Sequence, residues 1–329
     1  MSEPQFQTYR IAAEQANLAL TAALRQLRPG ESWSAVRRLV QNRHVQINGN
    51  LCVDEGRRLK AGDVIKVWAE PRPKPASADD VVVRYLDAHL VVVEKPAGVT
   101  TLRHNEERDW PARRKQRQPT LDEMVQQVLA KKAKGKPGKQ PGRRAKRPFL
   151  RAVHRLDRDT SGLMVFARSP EAERRLVQMF RKHSVHRAYR AIAVGRVEEQ
   201  TFESYLVRDR GDTRRGSTPL SDTGQRAVTH VRPLEFLDGY TLVECRLETG
   251  RTHQIRIHLA EAGHVVCGEK VYCRRLFGPT IDDRSGAVRQ ALHAAELGFR
   301  HPITDEPLSF EMPMPADMTK LLARLRGKR

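Results

Sequence analysis

Short strand patterns joined by short links fill most of the chain after its first quarter, and this density restricts the folds that the chain can adopt. Apolar or alternating runs occupy Val81–Tyr85, Leu90–Val93, Ala188–Val194 and Tyr240–Leu247, and a helical pattern covers Glu171–Phe180. Strands with short links pair mostly antiparallel, whereas a doubly wound parallel sheet alternates each strand with a helix. The sequence therefore predicts an α+β domain with a large mixed, mainly antiparallel sheet flanked by helices.

Two further helices are predicted in this part of the chain. Leu121–Leu129 carries apolar residues at helical spacing. Another helix is predicted to begin after Thr252 as its N-cap, to carry Ile255 and Leu259 inward and to end at Gly263. Both helices are expected to flank the sheet.

The first 70 residues carry a separate pattern of two short helices and a small sheet. The first helical pattern ends at a Pro-Gly pair, and a second helix begins with Ser32 or Ser34 as its N-cap. A strand over Val45–Ile47 runs into an Asn-Gly dipeptide, which is typical of a hairpin turn. A further strand covers Val64–Trp68.

Arginines give the second helix of this module a cationic side. They are Arg37, Arg38 and, just beyond the helix, Arg43. The sequence RRLVQNRHVQINGN…LKAGDVIKVW resembles the alpha-L RNA-binding module, also called the S-four domain, of many RNA-modifying proteins. The resemblance implies that these three arginines contact RNA. An ordinary small α/β subdomain with solvated arginines is the alternative.

These patterns predict the domain organisation of the chain. Residues 1–17 form an N-terminal segment, 18–69 the small module, 70–79 a stiff proline-rich linker and 80–325 the large domain. A basic insertion interrupts the large domain at about residues 103–149.

The insertion contains the most basic stretch of the chain. Residues 131–147 include nine basic side chains and no acidic one. This run of lysine, glycine and proline is too polar to pack, so we expect it to be mobile without RNA. Lys131, Lys132, Arg143 and Arg144 are predicted to contact RNA phosphates. A solvated insertion without function is the alternative.

The rest of the chain is basic as well. Lysine plus arginine outnumber aspartate plus glutamate by 60 to 39, which gives a formal net charge of +21. Such an excess repels itself in a compact body, so it indicates a polyanionic partner, and RNA is the partner that we expect. The 39% of hydrophobic residues allow a packed core and argue against a disordered protein.

The cysteines and the hydropathy argue against several other classes. Cys52, Cys245, Cys267 and Cys273 occur singly, without a C-x-x-C pair, so we expect free thiols in a reducing compartment. Residues 1–10 lack the apolar core of a secretory signal. No uncharged apolar stretch approaches the ~20 residues of a membrane span. The sequence therefore predicts a soluble, cytoplasmic protein that does not associate with membranes.

One polar, charge-dense loop directly precedes an apolar strand. It reads HRLDRDTSG, from His154 to Gly162, and it holds Asp157 and Asp159 among basic and hydroxyl-bearing residues; Leu163–Ala167 follows. A loop held against a buried strand presents a reactive side chain at the rim of a core. Aspartates in loops also cap turns, and this is the role predicted for Asp159. For Asp157 the loop alone leaves both roles open.

Several segments in a fixed order resemble the RluA-type family of RNA pseudouridine synthases. They are YLDAHLVVVEKPAG (Tyr85–Gly98), HRLDRDTSG, HRAYRAIAVG, ETGRTHQIRIHL (Glu248–Leu259) and LHAAELGFRHPITDEPLSFEMP (Leu292–Pro313). With the alpha-L module included, the resemblance runs nearly to the C-terminus. It implies an enzyme that isomerises uridine to pseudouridine, and large-subunit ribosomal RNA is the substrate that we expect.

The resemblance also implies roles for individual residues. Asp157 falls on the family's catalytic aspartate, Tyr189 on its active-site tyrosine, and Arg256 on the arginine that pairs with the aspartate. Arg155 falls on an arginine that helps to hold the RNA where the target base has left the stack. In the same segment as Arg256, Arg251 and His253 are the further RNA contacts that we expect.

The chemistry is compatible with these roles. The reaction cleaves the bond from the sugar to the ring nitrogen, rotates the uracil and rejoins it through ring carbon five. No atoms are gained or lost, so we expect no metal, nucleotide or redox cofactor. Arg256 is expected to lower the pKa of Asp157, which then acts on the sugar as a nucleophile or as a base; both remain open. Tyr189 offers a ring for stacking on the uracil and a hydroxyl for proton transfer.

The chain departs from the family pattern in two places. One is the basic insertion, and the other is Val99–Arg103, where relatives often carry histidine and proline after KPAG. These departures leave the RNA target open, with transfer RNA as the alternative substrate. The alternative functions are a non-catalytic RNA-binding or ribosome-assembly protein of the same fold, and a metal-dependent RNA hydrolase. A monomer is the expected oligomeric state.

Overall fold

The structure is a computed structural model that describes residues 6–72, 76–103, 107, 109, 111, 115, 118–134, 148–212, 214–218, 222–274 and 278–327. The chain divides into two units, Met1–Pro75 and Ala76–Arg329. Within the described residues, no helix is both long and apolar enough to cross a membrane.

The described part of the first unit packs two α-helices on a four-stranded sheet. The helices are α1 (Leu20–Leu27) and α2 (Trp33–Gln41), and the strands, in the order β1-β4-β2-β3, are β1 (Phe6–Arg10), β2 (Val45–Ile47), β3 (Asn50–Leu51) and β4 (Val64–Trp68). Ser32 caps α2, because its side chain accepts a hydrogen bond from the backbone N–H of Ala35. The two predicted helices and strands are therefore present. Their buried apolar core includes Leu20, Leu24, Val36, Val40, Val45 and Ile65.

The hairpin turn and the N-terminal strand of this unit differ in how well the sequence predicts them. Asn48 and Gly49 have φ angles of 50° and 76°, the left-handed conformation that their dipeptide indicates. Residues 6–10, however, form β1, which pairs antiparallel with β4 over its whole length. They belong to the small sheet and not to a separate segment 1–17. Since most side chains of this edge strand are at least partly exposed, it has no apolar run to reveal it.

In its described residues, the second unit is built on one 11-stranded sheet. Its main order is β11-β10-β12-β13-β9-β14-β8-β6-β5, with β15 beside β14 and β7 beside β8. Of the described strand pairs, only β14 and β8 run parallel, so the prediction of a mixed, mainly antiparallel sheet is confirmed. The strands are β5 (Val82–Leu86), β6 (Leu90–Lys95), β7 (Arg151–Ala152), β8 (Ser161–Ala167), β9 (His186–Val194), β10 (Gln200–Val207), β11 (Gly216–Thr218), β12 (Gln225–Leu237), β13 (Tyr240–Leu247), β14 (Leu292–Arg300) and β15 (Pro307–Glu311).

Four helices of the described chain flank this sheet. They are α3 (Leu121–Lys134), α4 (Pro170–Arg181), α5 (Gln254–Glu261) and α6 (Ala316–Arg326). The prediction that Thr252 caps α5 is wrong, because His253 precedes the helix with a left-handed backbone (φ 62°). The side chain of Gln254 folds back to accept the N–H of Arg251 and the hydroxyl of Thr249, and this turn occupies the residues before the helix.

Strand β8 lies in the middle of the hydrophobic core. All seven of its residues are buried. Met164 and Phe166 pack in the cluster that includes α3, α5 and α6, whereas Leu163 and Val165 pack in the cluster that includes α4. The polar loop that leads into β8 is therefore held against a strand that is buried on both faces.

Candidate active site

The loop that holds Asp157 is fixed by a buried lysine. Lys95 ends β6, and its Nζ donates hydrogen bonds to the carbonyl oxygens of Pro96 (3.1 Å), Arg158 (2.9 Å) and Thr160 (2.7 Å). Three carbonyl acceptors suit the three N–H groups of an ammonium ion. Burial lowers the pKa of Lys95 to about 7, and the charges of two nearby aspartates oppose this shift.

The end of the loop requires a glycine. Gly162 has a φ of 128°, and a Cβ at this position would lie 2.3 Å from the carbonyl oxygen of Ala294 on β14. No other residue fits this backbone angle and this close approach.

Asp159 contributes its carbonyl to the loop, and this carbonyl accepts a hydrogen bond from Arg289 Nη1 at 3.0 Å. Its carboxylate caps no turn in the described part of the chain, so the prediction for its side chain is wrong.

Asp157 and Arg256 meet although 99 residues separate them. Arg256 lies in the first turn of α5, and its Nη1 donates a hydrogen bond to Oδ2 of Asp157 at 2.8 Å. Their side chains are 17% and 7% exposed, so the pair is largely removed from water. Oδ1 of Asp157 lies 3.7 Å from Nε2 of His253, which is too far for a hydrogen bond. Within the described part of the chain Oδ1 accepts no hydrogen bond, so it is the oxygen that remains available.

A second carboxylate holds Arg256 from the other side. Glu269 accepts Nε at 2.6 Å and Nη2 at 2.8 Å, a bidentate pair, and its own side chain is 1% exposed. Burial opposes the charge of Arg256, but Glu269 and Asp157 outweigh it and raise its pKa. Burial likewise opposes the charge of Glu269, and Arg256 outweighs it and lowers the pKa of Glu269. The sequence does not reveal Glu269, because no spacing rule links it to Arg256.

His253 and Tyr272 complete the surroundings of the aspartate. Nδ1 of His253 lies 2.7 Å from the hydroxyl of Tyr272, and this leaves Nε2 directed toward Asp157. Burial lowers the pKa of His253; Asp157 opposes this shift and Arg256 adds to it. Burial raises the pKa of Tyr272 to about 12. The sequence indicates His253 only as an RNA contact and gives no signal for Tyr272.

Tyr189 comes from the middle of the sheet. It lies on β9, paired with Cys245 of β13 and Ala294 of β14, and it is 8% exposed. Burial raises the pKa of Tyr189; the cation of Arg187 opposes this shift and the charge of Asp157 adds to it. At neutral pH the side chain is therefore an uncharged phenol.

Asp157, Tyr189, His253 and Arg256 line one cavity of about 490 Å³, a size typical of small-molecule sites (~300–1,000 Å³). Its lining includes six of the residues that the sequence predicts for the site: Arg155, Asp157, Tyr189, Arg251, His253 and Arg256. Arg155 is exposed, and Arg251 is held by a hydrogen bond from its Nε to the carbonyl oxygen of Arg226 at 3.0 Å. The structure thus brings these six residues together.

The other predicted RNA contacts are not among the residues that line this cavity. Arg37 and Arg38 are exposed on α2, and Nε of Arg43 donates to the carbonyl oxygen of Arg72 at 3.0 Å. Lys131 and Lys132 are exposed at the C-terminal end of α3. Arg143 and Arg144, and with them most of the run predicted to be mobile, fall outside the described residues.

The structure also bears on metal binding and on the state of the cysteines. Among the described residues, no three His, Cys, Asp or Glu side chains converge as metal ligands do. All four cysteines are free thiols, as predicted.

Comparisons with known proteins agree with this architecture. The sequence model of a family described as RNA pseudouridylate synthase matches residues 89–261, and that of the S4 domain matches residues 20–65. The "Ribosomal large subunit pseudouridine synthase D" of Zymomonas mobilis is 36% identical over 282 residues, which cover 84% of each chain. The protein of the same name from Neisseria meningitidis is 34% identical over 328 residues, 96% of this chain and 81% of that one.

A solved structure resembles the fold. It is "Human RNA Pseudouridylate Synthase Domain Containing 4", with a TM-score of 0.56 and 23% identity. The superposition covers 74% of this chain and 92% of the human one. At this identity the likeness concerns the fold alone.

Proposed function

The chain belongs to the RNA pseudouridylate synthase family, and on this premise we propose that it isomerises uridine to pseudouridine in large-subunit ribosomal RNA, with Asp157 as the catalytic carboxylate. The observation that carries the proposal is the ion pair of Asp157 and Arg256 in a cavity that Tyr189 also lines. The guanidinium holds the carboxylate in place for a reaction on one nucleotide. The basic residues at the rim of the cavity suit the phosphates of the RNA that presents this nucleotide.

Asp157 is the group that we assign to the sugar. Its Oδ2 is occupied by Arg256, so Oδ1 is the oxygen that reaches the substrate. As a nucleophile, Oδ1 would bond to C1′ as N1 leaves and would itself leave when C5 attacks. As a base, it would accept a proton from C2′ of the sugar as N1 leaves and would return that proton to C2′ when C5 bonds to C1′. In either case the C1′–N1 bond breaks, the C1′–C5 bond forms, C5 loses its proton and N1 gains one.

Tyr189 is assigned to the base. Its aromatic ring can stack on the uracil while the uracil rotates, and burial keeps its phenol protonated. Tyr189 lines the same cavity, and its hydroxyl is the group that we assign to relaying the proton from C5. Arg256 acts through Asp157 and is therefore a positioning residue. The isomerisation exchanges no atoms with another molecule, so the proposal needs no metal or nucleotide.

RNA binding is assigned to cationic groups of both units. The uridine must leave the helix to reach the cavity, which costs a few kcal/mol. Arg155 and Arg251 at the cavity, and Arg37, Arg38 and Arg43 of the small module, offset this cost by holding phosphates. The match to the S4 domain over residues 20–65 supports this assignment. The names of the relatives support large-subunit ribosomal RNA, and that substrate implies a cytoplasmic enzyme.

Mapping of pseudouridine tests the proposal. RNA from cells with and without the protein is labelled chemically for pseudouridine, and the purified full chain is incubated with an unmodified transcript of the large-subunit RNA. We expect at least one large-subunit position to lose its label without the protein and to gain it with the purified chain. A chelator should not change that turnover. Label lost only from transfer RNA would overturn the substrate, and unchanged label everywhere would overturn the activity.

A further inference from the structure

Arg187 lines the same cavity as Asp157 and Tyr189 but has no role in the reaction or the RNA binding proposed so far. It lies on β9 two residues before Tyr189, so both side chains project from the same face of the sheet. Only 8% of the residue is exposed. A guanidinium carries its charge at any physiological pH, so a permanent cation is buried beside the reaction site.

The contacts of Arg187 leave this cation without a counter-charge. Its Nη2 donates to the carbonyl oxygen of Glu248 at 2.9 Å and lies 3.5 Å from that of Leu247. Its Nε is buried and has no hydrogen-bond partner among the described residues. No carboxylate of the described residues lies within ion-pair distance of it, whereas Arg256 has two. An uncompensated buried charge costs several kcal/mol, so a structural role alone does not explain it.

The surroundings of Arg187 are cationic or neutral. Asp157 is the one acid among the described residues that line the cavity, and it is paired with Arg256. The lining also contains Arg155, Arg181 and Arg251. Burial, to which the charge of Arg187 adds, lowers the pKa of His154 to about 3, so this neighbour is uncharged. This part of the cavity therefore attracts anions, and the described lining offers Arg187 no carboxylate of its own.

The backbone beside Arg187 makes room for its guanidinium. A Cβ at position 250 would lie 2.6 Å from Nη1 of Arg187, so a glycine is what allows the close approach. The ring of Phe180 lies 5.6 Å from the guanidinium carbon and in turn stacks on His154 at 4.6 Å. The guanidinium of Arg187 is thus held in place by a glycine, an aromatic ring and a backbone carbonyl. Such support from the surrounding residues is typical of a preorganised binding site.

We propose that Arg187 forms a phosphate subsite, which binds an RNA phosphodiester flanking the uridine in the cavity. The proposal rests on the proposed function and adds to it one contact and its ligand. Side chains two residues apart on a strand are ~7 Å apart, a separation comparable to that between a base and its own phosphate. Tyr189 would then hold the base and Arg187 the phosphate of one extruded nucleotide, or of its neighbour.

Neutral backbone linkages test this subsite. Short RNAs that carry the mapped uridine are made with a methylphosphonate in place of the phosphate on its 5′ side or on its 3′ side. With the wild-type chain, one of the two should lower kcat/KM roughly 10- to 100-fold, the effect of losing hydrogen bonds to a charged group. With Arg187→Met, kcat/KM on the unmodified RNA should fall by a similar factor. The methylphosphonate that impairs the wild-type chain should then lower the kcat/KM of Arg187→Met only slightly further.

Two further measurements separate this role from a structural one. Arg187→Met should keep or raise the thermal midpoint of the full chain, because it removes a buried charge without a partner. The matched control is Arg174→Met, which removes an exposed arginine of α4 and should leave kcat/KM unchanged. If Arg187→Met does not fold, the wild-type comparison of the two linkages decides alone.

The outcomes of the two proposals differ. If the wild-type chain forms pseudouridine but tolerates a neutral linkage on either side of the uridine, the subsite is wrong and the activity stands. The subsite is also wrong if Arg187→Met turns over at the wild-type rate. It is wrong as well if the methylphosphonate that impairs the wild-type chain lowers the kcat/KM of Arg187→Met by the same factor. If the wild-type chain forms no pseudouridine in any RNA, the proposed function itself is wrong.

Discussion

Arg256 is the residue on which the geometry of the candidate site depends. It donates to Glu269 through Nε and Nη2 and to Asp157 through Nη1, so three of its nitrogens are fixed by two carboxylates. A buried arginine with this many partners cannot rotate away from Asp157 without losing its other hydrogen bonds. Glu269 therefore orients the aspartate indirectly, through the guanidinium that both acids share.

Replacing Glu269 by glutamine tests this arrangement. Glu269→Gln leaves Arg256 buried with one carboxylate in place of two, so the free energy of unfolding should fall by about 3 kcal/mol. Turnover should fall as well, because Asp157 is held less firmly. Urea denaturation and the rate of pseudouridine formation measure the two effects.

The exposed pair of Arg196 and Glu198 provides the matched control. Its N···O distance is also 2.6 Å, but the side chains are 68% and 63% exposed. Glu198→Gln should change stability by less than about 0.5 kcal/mol and leave turnover intact. Equal effects of the two substitutions would show that burial of Glu269 has no special consequence.

Side chains far apart in sequence could be predicted to meet only where a motif marks them. Asp157, Tyr189 and Arg256 each stand in a recognisable segment, and the structure brings them to one cavity. Glu269 and Tyr272 stand in an irregular stretch after α5, where neither helical nor strand periodicity applies. Their contacts depend on how that stretch returns to the helix, and a single sequence does not encode this in local spacing.

At the level of secondary-structure elements, the junction of β6 with the loop before β8 determines where Asp157 lies. Lys95 ties the end of β6 to the carbonyl oxygens of Arg158 and Thr160, and β8 itself is buried on both faces. The three acceptors around Nζ suit a protonated lysine, so loss of the proton would leave one carbonyl without a donor. The loop is therefore coupled to the protonation of a single buried amine.

This coupling gives stability a specific pH dependence. The pKa of Lys95 is lowered to about 7 in the folded chain and has its ordinary value near 10.5 in the unfolded chain. Below pH 7 the lysine is protonated in both states. Between about pH 7 and 10.5 the unfolded chain binds one more proton, so the contribution of Lys95 to stability rises with pH in this window.

Comparison with Lys95→Met isolates that contribution. The unfolding free energy of the wild type minus that of the variant should increase by about 2 kcal/mol between pH 7 and pH 9. Urea denaturation at both pH values measures it, and Lys320→Met, which removes an exposed lysine of α6, corrects for the loss of one lysine. A difference that stays constant over this range would contradict the lowered pKa.

Elements with a strong pattern were predictable, and elements defined by tertiary contacts were not. Strand β13 matches the alternating run over residues 240–247, and α4 matches its helical run within one residue at each end. Strand β1 has no apolar run and forms because β4 offers it an edge. The start of α5 is shifted because His253 adopts a left-handed backbone beside Asp157, a local strain that the surrounding contacts must hold.

At the level of the whole molecule, the excess of positive charge is the property that the fold itself does not need. A net charge of +21 opposes compaction, and a polyanionic partner removes the repulsion. The expectation of RNA as partner, made from the charge and the motifs together, agrees with the family to which the chain belongs.

The basic run of the insertion is a separable part of that charge. Replacing residues 135–147 by a Gly/Ser linker of equal length removes six basic side chains and spares α3. RNA binding should weaken, and the slope of log K against log salt should become shallower by ~0.7–0.9 for each phosphate that the chain no longer neutralises. Binding measured at several salt concentrations tests this, and an unchanged slope would show that the run does not bind RNA.

In the proposed function one carboxylate, that of Asp157, carries out the isomerisation. The most direct measurement compares pseudouridine formed in an unmodified large-subunit RNA transcript by the wild-type chain, by Asp157→Ala and by Asp159→Ala, with RNA affinity measured alongside. Asp157→Ala should bind the RNA and form no pseudouridine, while Asp159→Ala, two residues away in the same loop, should retain turnover. Pseudouridine formed by Asp157→Ala at the wild-type rate would contradict the assignment.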